Sequence, residues 1–213
     1  LRFNHRKSID IDLFCHDIIG FKGFGKIKQE VTSLYPKTDL KFQDPMNINR
    51  QFTFLRFFIP KNDIIIKVEL IQNMKLLDNI ENIKGLRLVS VRDIGLFKLM
   101  SASTRSVKKD VYDLYYITRQ IPIVALYTDL GKKYSIFNKK EHQNIFDIDA
   151  EKTVLNDPHR LLLFEKANRQ TGIKMIHSHD NIIQMEHAAS WQQARLGWRR
   201  QVRSLCEYLK KDF

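Results

Sequence analysis

The sequence predicts an α+β fold, with strands concentrated in its first half and helices in its second. Three observations lead there. Residues 8–13 alternate strictly between polar and apolar side chains. Residues 50–58 and 64–71 form two β-rich segments separated by a turn signal. From residue 91 onward the apolar residues recur mainly at steps of three and four. At 213 residues and 43% hydrophobic content, the chain can bury a real core, and one body with two lobes is expected.

In the first segment Ile9, Ile11 and Leu13 fall on one side, and Ser8, Asp10 and Asp12 on the other. That is the period of a half-buried strand, and its polar face carries two carboxylates. The pattern weakens from Phe14 to Gly25, and Lys26 to Leu34 reads as a short helix ending near Tyr35-Pro36. Arg50 to Phe58 reads as a strand, and Pro60-Lys61-Asn62-Asp63 turns it back into Ile64 to Ile71 as an antiparallel neighbour. In the second of these strands Ile64, Ile66, Val68 and Leu70 share one face, opposite Ile65, Lys67 and Glu69. A polar connection follows.

Ser90-Val91-Arg92-Asp93 has the composition of a helix cap, opening a helix through Lys98 to about Ser101. Ser101-Ala102-Ser103-Thr104 reads as a break, and Val107 to Arg119 as the next helix. Beyond Pro122 the spacing is mostly helical, with loops expected at residues 131–138 and at Asn156-Asp157-Pro158. Trp191, Ala194, Trp198, Val202, Leu205 and Leu209 make one face of a final amphipathic helix. Neither internal repeats nor low-complexity tracts occur.

The 36 Lys+Arg against 24 Asp+Glu give a net charge of +12, which favours a polyanionic partner such as nucleic acid or nucleotide phosphates. Two cysteines, Cys15 and Cys206, are too few for a disulfide framework. With no secretory leader and no unbroken run of about 18 apolar residues, no membrane association is expected, and a reducing cytoplasm is the expected location. The chain begins at Leu1 without an initiator Met, so an N-terminal stretch is expected to be missing.

The chemistry sits in two groups of residues. Asp10 and Asp12, two apart on a strand, project from one face with Cα atoms roughly 7 Å apart, a span that one or two Mg²⁺ ions can bridge. Hard cations take carboxylate oxygens, and nucleotidyl transfer uses them to neutralise a triphosphate. Glu69 is the candidate third carboxylate, because a charge on an apolar strand is costly unless it is paired or metal-bound. Arg6, Lys7 and Ser8 could hold a phosphate beside the metals.

The second group is Lys98, Arg105, Lys109, Asp110 and Asp113. On one continuous helix, offsets of 7 and 11 would return Lys98, Arg105 and Lys109 to nearly the same face, an exposed phosphate-binding ridge. Asp110 and Asp113, at i and i+3, share another face, where one could orient Lys98 or accept a proton from an attacking hydroxyl. An ion-paired surface helix is the plainer reading of the same residues.

The run His5-Arg6-Lys7-Ser8-Ile9-Asp10-Ile11-Asp12-Leu13-Phe14, followed by Asp93-Ile94-(x)₃-Lys98-(x)₆-Arg105-(x)₃-Lys109-Asp110-(x)₂-Asp113-Leu114, resembles the AbiEii/AbiGii toxin family of nucleotidyltransferases. The resemblance covers about residues 1–118. It implies a polymerase-β-like nucleotidyltransferase core over 1–118, a mixed sheet with helices, followed by a mainly helical C-terminal lobe over 119–213.

By that similarity Asp10 and Asp12 would bind Mg²⁺ and Arg6 and Ser8 would lie near the triphosphate. Lys98 would contact phosphate, and Asp110 or Asp113 would be the second catalytic acid. The expected activity is transfer of a nucleotide from an NTP to an RNA acceptor, tRNA in characterised relatives, with growth arrest as the outcome and a cognate antitoxin as partner. The family has a Gly-Gly-Thr segment just upstream of the first motif, before the start of this sequence, and its third carboxylate is commonly Asp where Glu69 stands here. The competing readings are a catalytically inactive nucleotide- or RNA-binding module of the same fold, and an enzyme that modifies a protein side chain.

Three further features carry less. His177, His179, Asp180 and His187 have no standard metal-ligand spacing and are expected to be a surface cluster. Arg195, Arg199 and Arg203 recur every fourth residue, as an RNA-tracking or a plainly solvated face would. Tyr112, Tyr115 and Tyr116 lie among Val111, Leu114 and Ile117 and are expected to pack in the core.

Overall fold

The computed structural model describes residues 2–8, 10–36, 39–43, 50–62, 64–148, 152–165 and 181–213. The fold is α+β. The chain forms two compact units, one of Ser8–Leu76 with Phe137–Asp149, the other of Leu1–Lys7, Leu77–Ile136 and Ala150–Phe213.

The first unit is built on a mixed four-stranded sheet. Its strands are β1 (Asp10–Phe14), β2 (Lys41–Gln43), β3 (Phe54–Lys61) and β4 (Ile64–Ile71), in the order β1-β4-β3-β2. β1 runs parallel to β4, and the other two pairings are antiparallel. The expected hairpin is present: β3 continues to Lys61, and Asn62 takes φ 53°, a left-handed conformation that Asn tolerates. Ile9 of the predicted first strand and Asp63 of the predicted turn lie outside the described residues.

One face of this sheet is apolar. Leu55, Phe57 and Val68 are buried with Phe24, and Ile27, Val31, Phe42, Ile59, Ile66 and Leu70 pack around them. Phe24, Ile27 and Val31 come from helix α1 (Gly20–Leu34), which begins six residues before the helix expected from Lys26. The early start has a physical cause. No capping side chain precedes the helix, and the orphan N–H groups of Ile19 and Gly20 are instead taken by the buried Gln72 Oε1, at 3.0 and 2.9 Å. Gly20 itself sits at φ 61°, where a residue with a Cβ would be strained.

The second unit is mainly helical. It contains α2 (Val91–Thr104), α3 (Lys108–Ile117), α4 (Ile123–Ile136) and α5 (Trp191–Tyr208). Its core includes Leu96, Leu99, Val111, Leu114, Leu126, Leu161, Trp198 and Leu205, all 1% exposed or less. Each such side chain contributes roughly 1.5–3 kcal/mol of burial. Ser90 caps α2 as expected, its hydroxyl accepting from the Asp93 N–H at 3.0 Å. Ser190 caps α5 in a reciprocal box with Gln193.

Three expectations are corrected here. α2 does not break at 101–104 but continues to Thr104, and the chain turns at Arg105, which is extended (φ −133°, ψ 152°). The hydroxyls of Ser103 and Thr104 bond back to Met100 O, so these residues sit within the helix without opening it. The loop expected from Gly131 begins only after Ile136, because α4 runs through that glycine while Leu126, Leu130 and Lys133 stay buried along one face. The polar connection before α2 contains a short hairpin, β5 (Glu81–Ile83) and β6 (Leu86–Leu88). Lys84 and Gly85 both adopt positive φ, 51° and 78°, the twist-compatible turn of two-residue hairpins.

Candidate functional site

The sheet face opposite α1 is polar. The parallel register sets Asp10 beside Lys67 and Asp12 beside Glu69, and the antiparallel register sets Glu69 beside Arg56 of β3. Glu69 therefore lies on the strand neighbouring the Asp pair. Glu69 Oε1 accepts from Arg56 Nε at 2.7 Å and Oε2 from Lys67 Nζ at 2.9 Å. Of the two ways to keep a charge on this strand, pairing or metal ligation, the structure displays pairing. Burial pushes the Glu69 carboxyl up, but the hydrogen bonds from Lys67 and Arg56 outweigh it and hold its pKa below the ordinary value.

Asp12 is exposed and Asp10 half-buried. Lys67 Nζ also lies 4.0 Å from Asp10 Oδ1. A cation of the protein's own thus stands close to the carboxylates where Mg²⁺ was expected. Two hard oxygen donors on one face suit such an ion. No group of three or more His, Cys, Asp or Glu positioned to hold a metal occurs among the described residues. Ser8 is exposed, its hydroxyl 3.3 Å from the backbone oxygen of Asp10.

The helical unit gathers the second group. Lys98 Nζ is 2.8 Å from Asp110 Oδ1 and 2.9 Å from Asp113 Oδ2. Arg105 Nε bonds Asp110 Oδ2 at 2.8 Å. Arg6 grips Asp113 with two parallel bonds of 2.7 and 2.8 Å, and His5 Nε2 lies 2.8 Å from the same carboxylate. Asp110 and Asp113 are buried, at 1% and 7% exposure. Burial alone would raise the pKa of both, but the cations around them prevail, Lys98 foremost. Asp110 is lowered and Asp113 held well below the ordinary carboxylate range. For Lys98 burial works downward, and the charges of Asp113 and Asp110 outweigh it, leaving the ammonium more firmly protonated than usual.

The single-helix ridge of Lys98, Arg105 and Lys109 is not what forms. Lys98 lies on α2, Arg105 caps its C-terminus, and Lys109 is in the first turn of α3. Lys98 and Arg105 nevertheless converge, because both reach Asp110. Lys98 is not an exposed ridge residue either: 24% of its side chain is accessible, against 58% for Arg105. Lys109 is half-buried, with no ion pair among the described residues.

Three residues of these clusters had no role assigned from sequence. Arg56 and Lys67 alternate with apolar residues on their strands, which marked their face but not their partner. His5 reaches Asp113 across 108 positions and packs against Tyr116 and Tyr112 at ring-centroid distances of 4.5 and 5.4 Å. Tyr112 is fully buried, as expected of a packing residue, with its hydroxyl on Ala189 O at 2.6 Å.

A family model described as nucleotidyl transferase AbiEii toxin, type IV TA system, matches residues 1–203. The chain belongs to this family. Both motifs of the AbiEii chain lie within the match, and its mixed sheet with flanking helix is consistent with a polymerase-β-like core. No curated protein and no solved structure matches it.

The weaker features of this AbiEii-family chain resolve in part. Arg195 and Arg199 of α5 both bond Glu165, and Arg203 lies over the Phe213 ring at 4.9 Å. His177, His179 and Asp180 are outside the described residues, and His187 is exposed. Cys15 and Cys206 are free thiols. None of the described helices is long and apolar enough to cross a membrane.

Proposed function

We propose that this AbiEii-family protein is a Mg²⁺-dependent nucleotidyltransferase toxin that transfers a nucleotide from an NTP to an RNA acceptor of tRNA type. It acts in the cytoplasm and is restrained by a cognate antitoxin. The observation that carries the reading is the placement of Asp10 and Asp12 on the accessible polar face of β1, in a chain matched by the family model over residues 1–203.

Asp10 and Asp12 would hold the metal, with Glu69 on the adjacent strand completing the acidic face. When bound, Mg²⁺ neutralises the triphosphate and lowers the pKa of the attacking hydroxyl. Ser8, exposed at the entrance to β1, offers a hydroxyl to a phosphate oxygen. In the helical unit Lys98, Arg105 and Arg6 set three cations against the two carboxylates Asp110 and Asp113. One positive charge is left in excess, and the accessible parts of Lys98 and Arg105 present it to an anion. Asp110 and Asp113 fix Lys98 in place, so it binds phosphate without reorganising, which is the condition for strong electrostatic stabilisation. Lys109 supplies further positive charge beside Asp110. The net charge of +12 favours an RNA acceptor.

The test is incubation of the protein with Mg²⁺, each α-³²P-labelled NTP in turn and total RNA, beside an Asp10→Ala/Asp12→Ala control, resolved on a denaturing gel. Label on a small RNA that vanishes in the control is expected and names the nucleotide. Label on protein alone would replace the acceptor, and no label from a folded sample would leave a binding module.

A further inference from the structure

We propose that Glu69 is a positioning residue that holds Lys67 away from Asp10, and that Lys67 is a built-in competitor for the cation of the Asp10–Asp12 pair. The inference rests on the metal-binding reading of that pair.

Lys67 and Glu69 alternate along β4 on the polar face, and the parallel register sets them beside Asp10 and Asp12. The ammonium therefore has two anions within reach. It hydrogen-bonds Glu69 Oε2 at 2.9 Å, whereas its 4.0 Å separation from Asp10 Oδ1 is beyond hydrogen-bonding distance. Glu69 is held for this task from its other side. Arg56 takes Oε1 at 2.7 Å and is itself tied to Gln43 Oε1 at 3.1 Å, which leaves Oε2 turned toward Lys67. The Lys67 and Glu69 side chains are only 18% and 14% accessible, so their attraction is weakly screened.

Both carboxylate oxygens of Glu69 thus accept from cations, and a direct role as a metal ligand would require breaking one of those bonds. Its effect on a metal is indirect. With Glu69 neutralised, the nearest anion to Lys67 is Asp10, and the flexible ammonium stem is long enough to close the remaining gap. There it would neutralise the carboxylate that a divalent cation needs.

A double-mutant cycle on Mn²⁺ binding, read by the electron paramagnetic resonance of free Mn²⁺ with the full chain, separates the possibilities. Glu69→Gln keeps the size of the side chain and is expected to weaken Mn²⁺ binding on the order of tenfold, the scale of one unscreened charge contact. Lys67→Met is expected to change binding only about twofold in the native background but to restore it on the order of tenfold in the Glu69→Gln background.

Equal effects of Lys67→Met in the two backgrounds would reduce the pair to a long-range field and overturn the proposal. A double variant as weak as Glu69→Gln would make Glu69 itself a ligand, and unchanged binding in Glu69→Gln would remove its role. Mn²⁺ binding that is absent, or that survives Asp10→Asn/Asp12→Asn, would instead overturn the parent reading of the aspartate pair. Thermal melts confirm that each variant is folded, and Lys67→Met alone gives the native-background measurement.

Discussion

Lys98 of α2 stands between two carboxylates of α3, 2.8 Å from Asp110 and 2.9 Å from Asp113. The i, i+3 spacing puts both acids on one helix face, and their burial makes the lysine a structural counter-ion, in addition to the phosphate-binding role proposed for it. Lys98→Met is therefore expected to destabilise the protein by about 3 kcal/mol, since a partner is withdrawn from two buried anions. Arg105 and Arg6 retain their bonds and prevent a larger loss. Transfer activity is expected to fall at least on the order of a hundredfold. Urea unfolding at unchanged slope checks the first figure, and label incorporation below the melting range checks the second.

The same pair of acids fixes the response to acid. Asp110 and Asp113 are lowered in the folded state, so the unfolded chain binds more protons than the native one between the native values and about 3.9. Their contribution is fully present above the unfolded value and is lost as pH falls through the folded values. Stability is expected to drop progressively below about pH 5. Asp113→Asn, which does not titrate, is expected to be less stable at pH 7 and to show a flatter acid limb in urea midpoints between pH 2 and 7. An unchanged limb would assign the acid sensitivity to other groups.

Asp10→Asn and Asp12→Asn separate catalysis from folding. Asp12 is exposed and Asp10 half-buried, so each change is expected to move stability by no more than about 0.5 kcal/mol. Transfer is expected to fall on the order of a thousandfold, because the main electrostatic stabilisation of the transition state is lost. Melting curves and label incorporation on the same samples decide it. Full activity in either variant would remove the metal-ligand role.

Asp93 gives a contrasting case, a buried acid within the second motif whose partners are structural. It accepts from the N–H groups of Leu77 and Asp78 at 2.9–3.0 Å and from Lys133 at 3.0 Å. Lys133 also lies 4.1 Å from the centre of the Phe97 ring. Asp93→Ala is expected to cost about 3–5 kcal/mol, or to prevent folding, by leaving Lys133 buried without its anion. Lys133→Met, which keeps the stem on Phe97, is expected to cost less because two backbone donors still hold Asp93. Comparative chemical denaturation checks the order.

What was legible in the sequence followed local periodicity. The alternation around Asp10 and Asp12, the apolar face of β4 and the stripe of α5 through Ala194, Trp198, Val202 and Leu205 all survive in the fold. What was not legible depended on partners far along the chain. The start of α1 is set by Gln72, and Asp113 is completed by His5 and Arg6. The turn at Arg105 misled for a related reason. Helical spacing alone cannot say that the chain bends there and still brings Arg105 back to Asp110 through five residues.

The segment carrying His5 and Arg6 is held by backbone bonds to residues near the other end of the chain. Lys7 N–H donates to Ile183 O at 2.9 Å, Met185 N–H donates to His5 O at 3.1 Å, and Arg6 pairs with Gln184. During synthesis these partners leave the ribosome some 180 residues after Arg6, at roughly 5–20 residues per second. Asp113 is itself made about 70 residues before Ile183, so for roughly 4–14 seconds it lacks the grip of an anchored Arg6. The helical cluster is therefore completed only once residues 183–185 have been made.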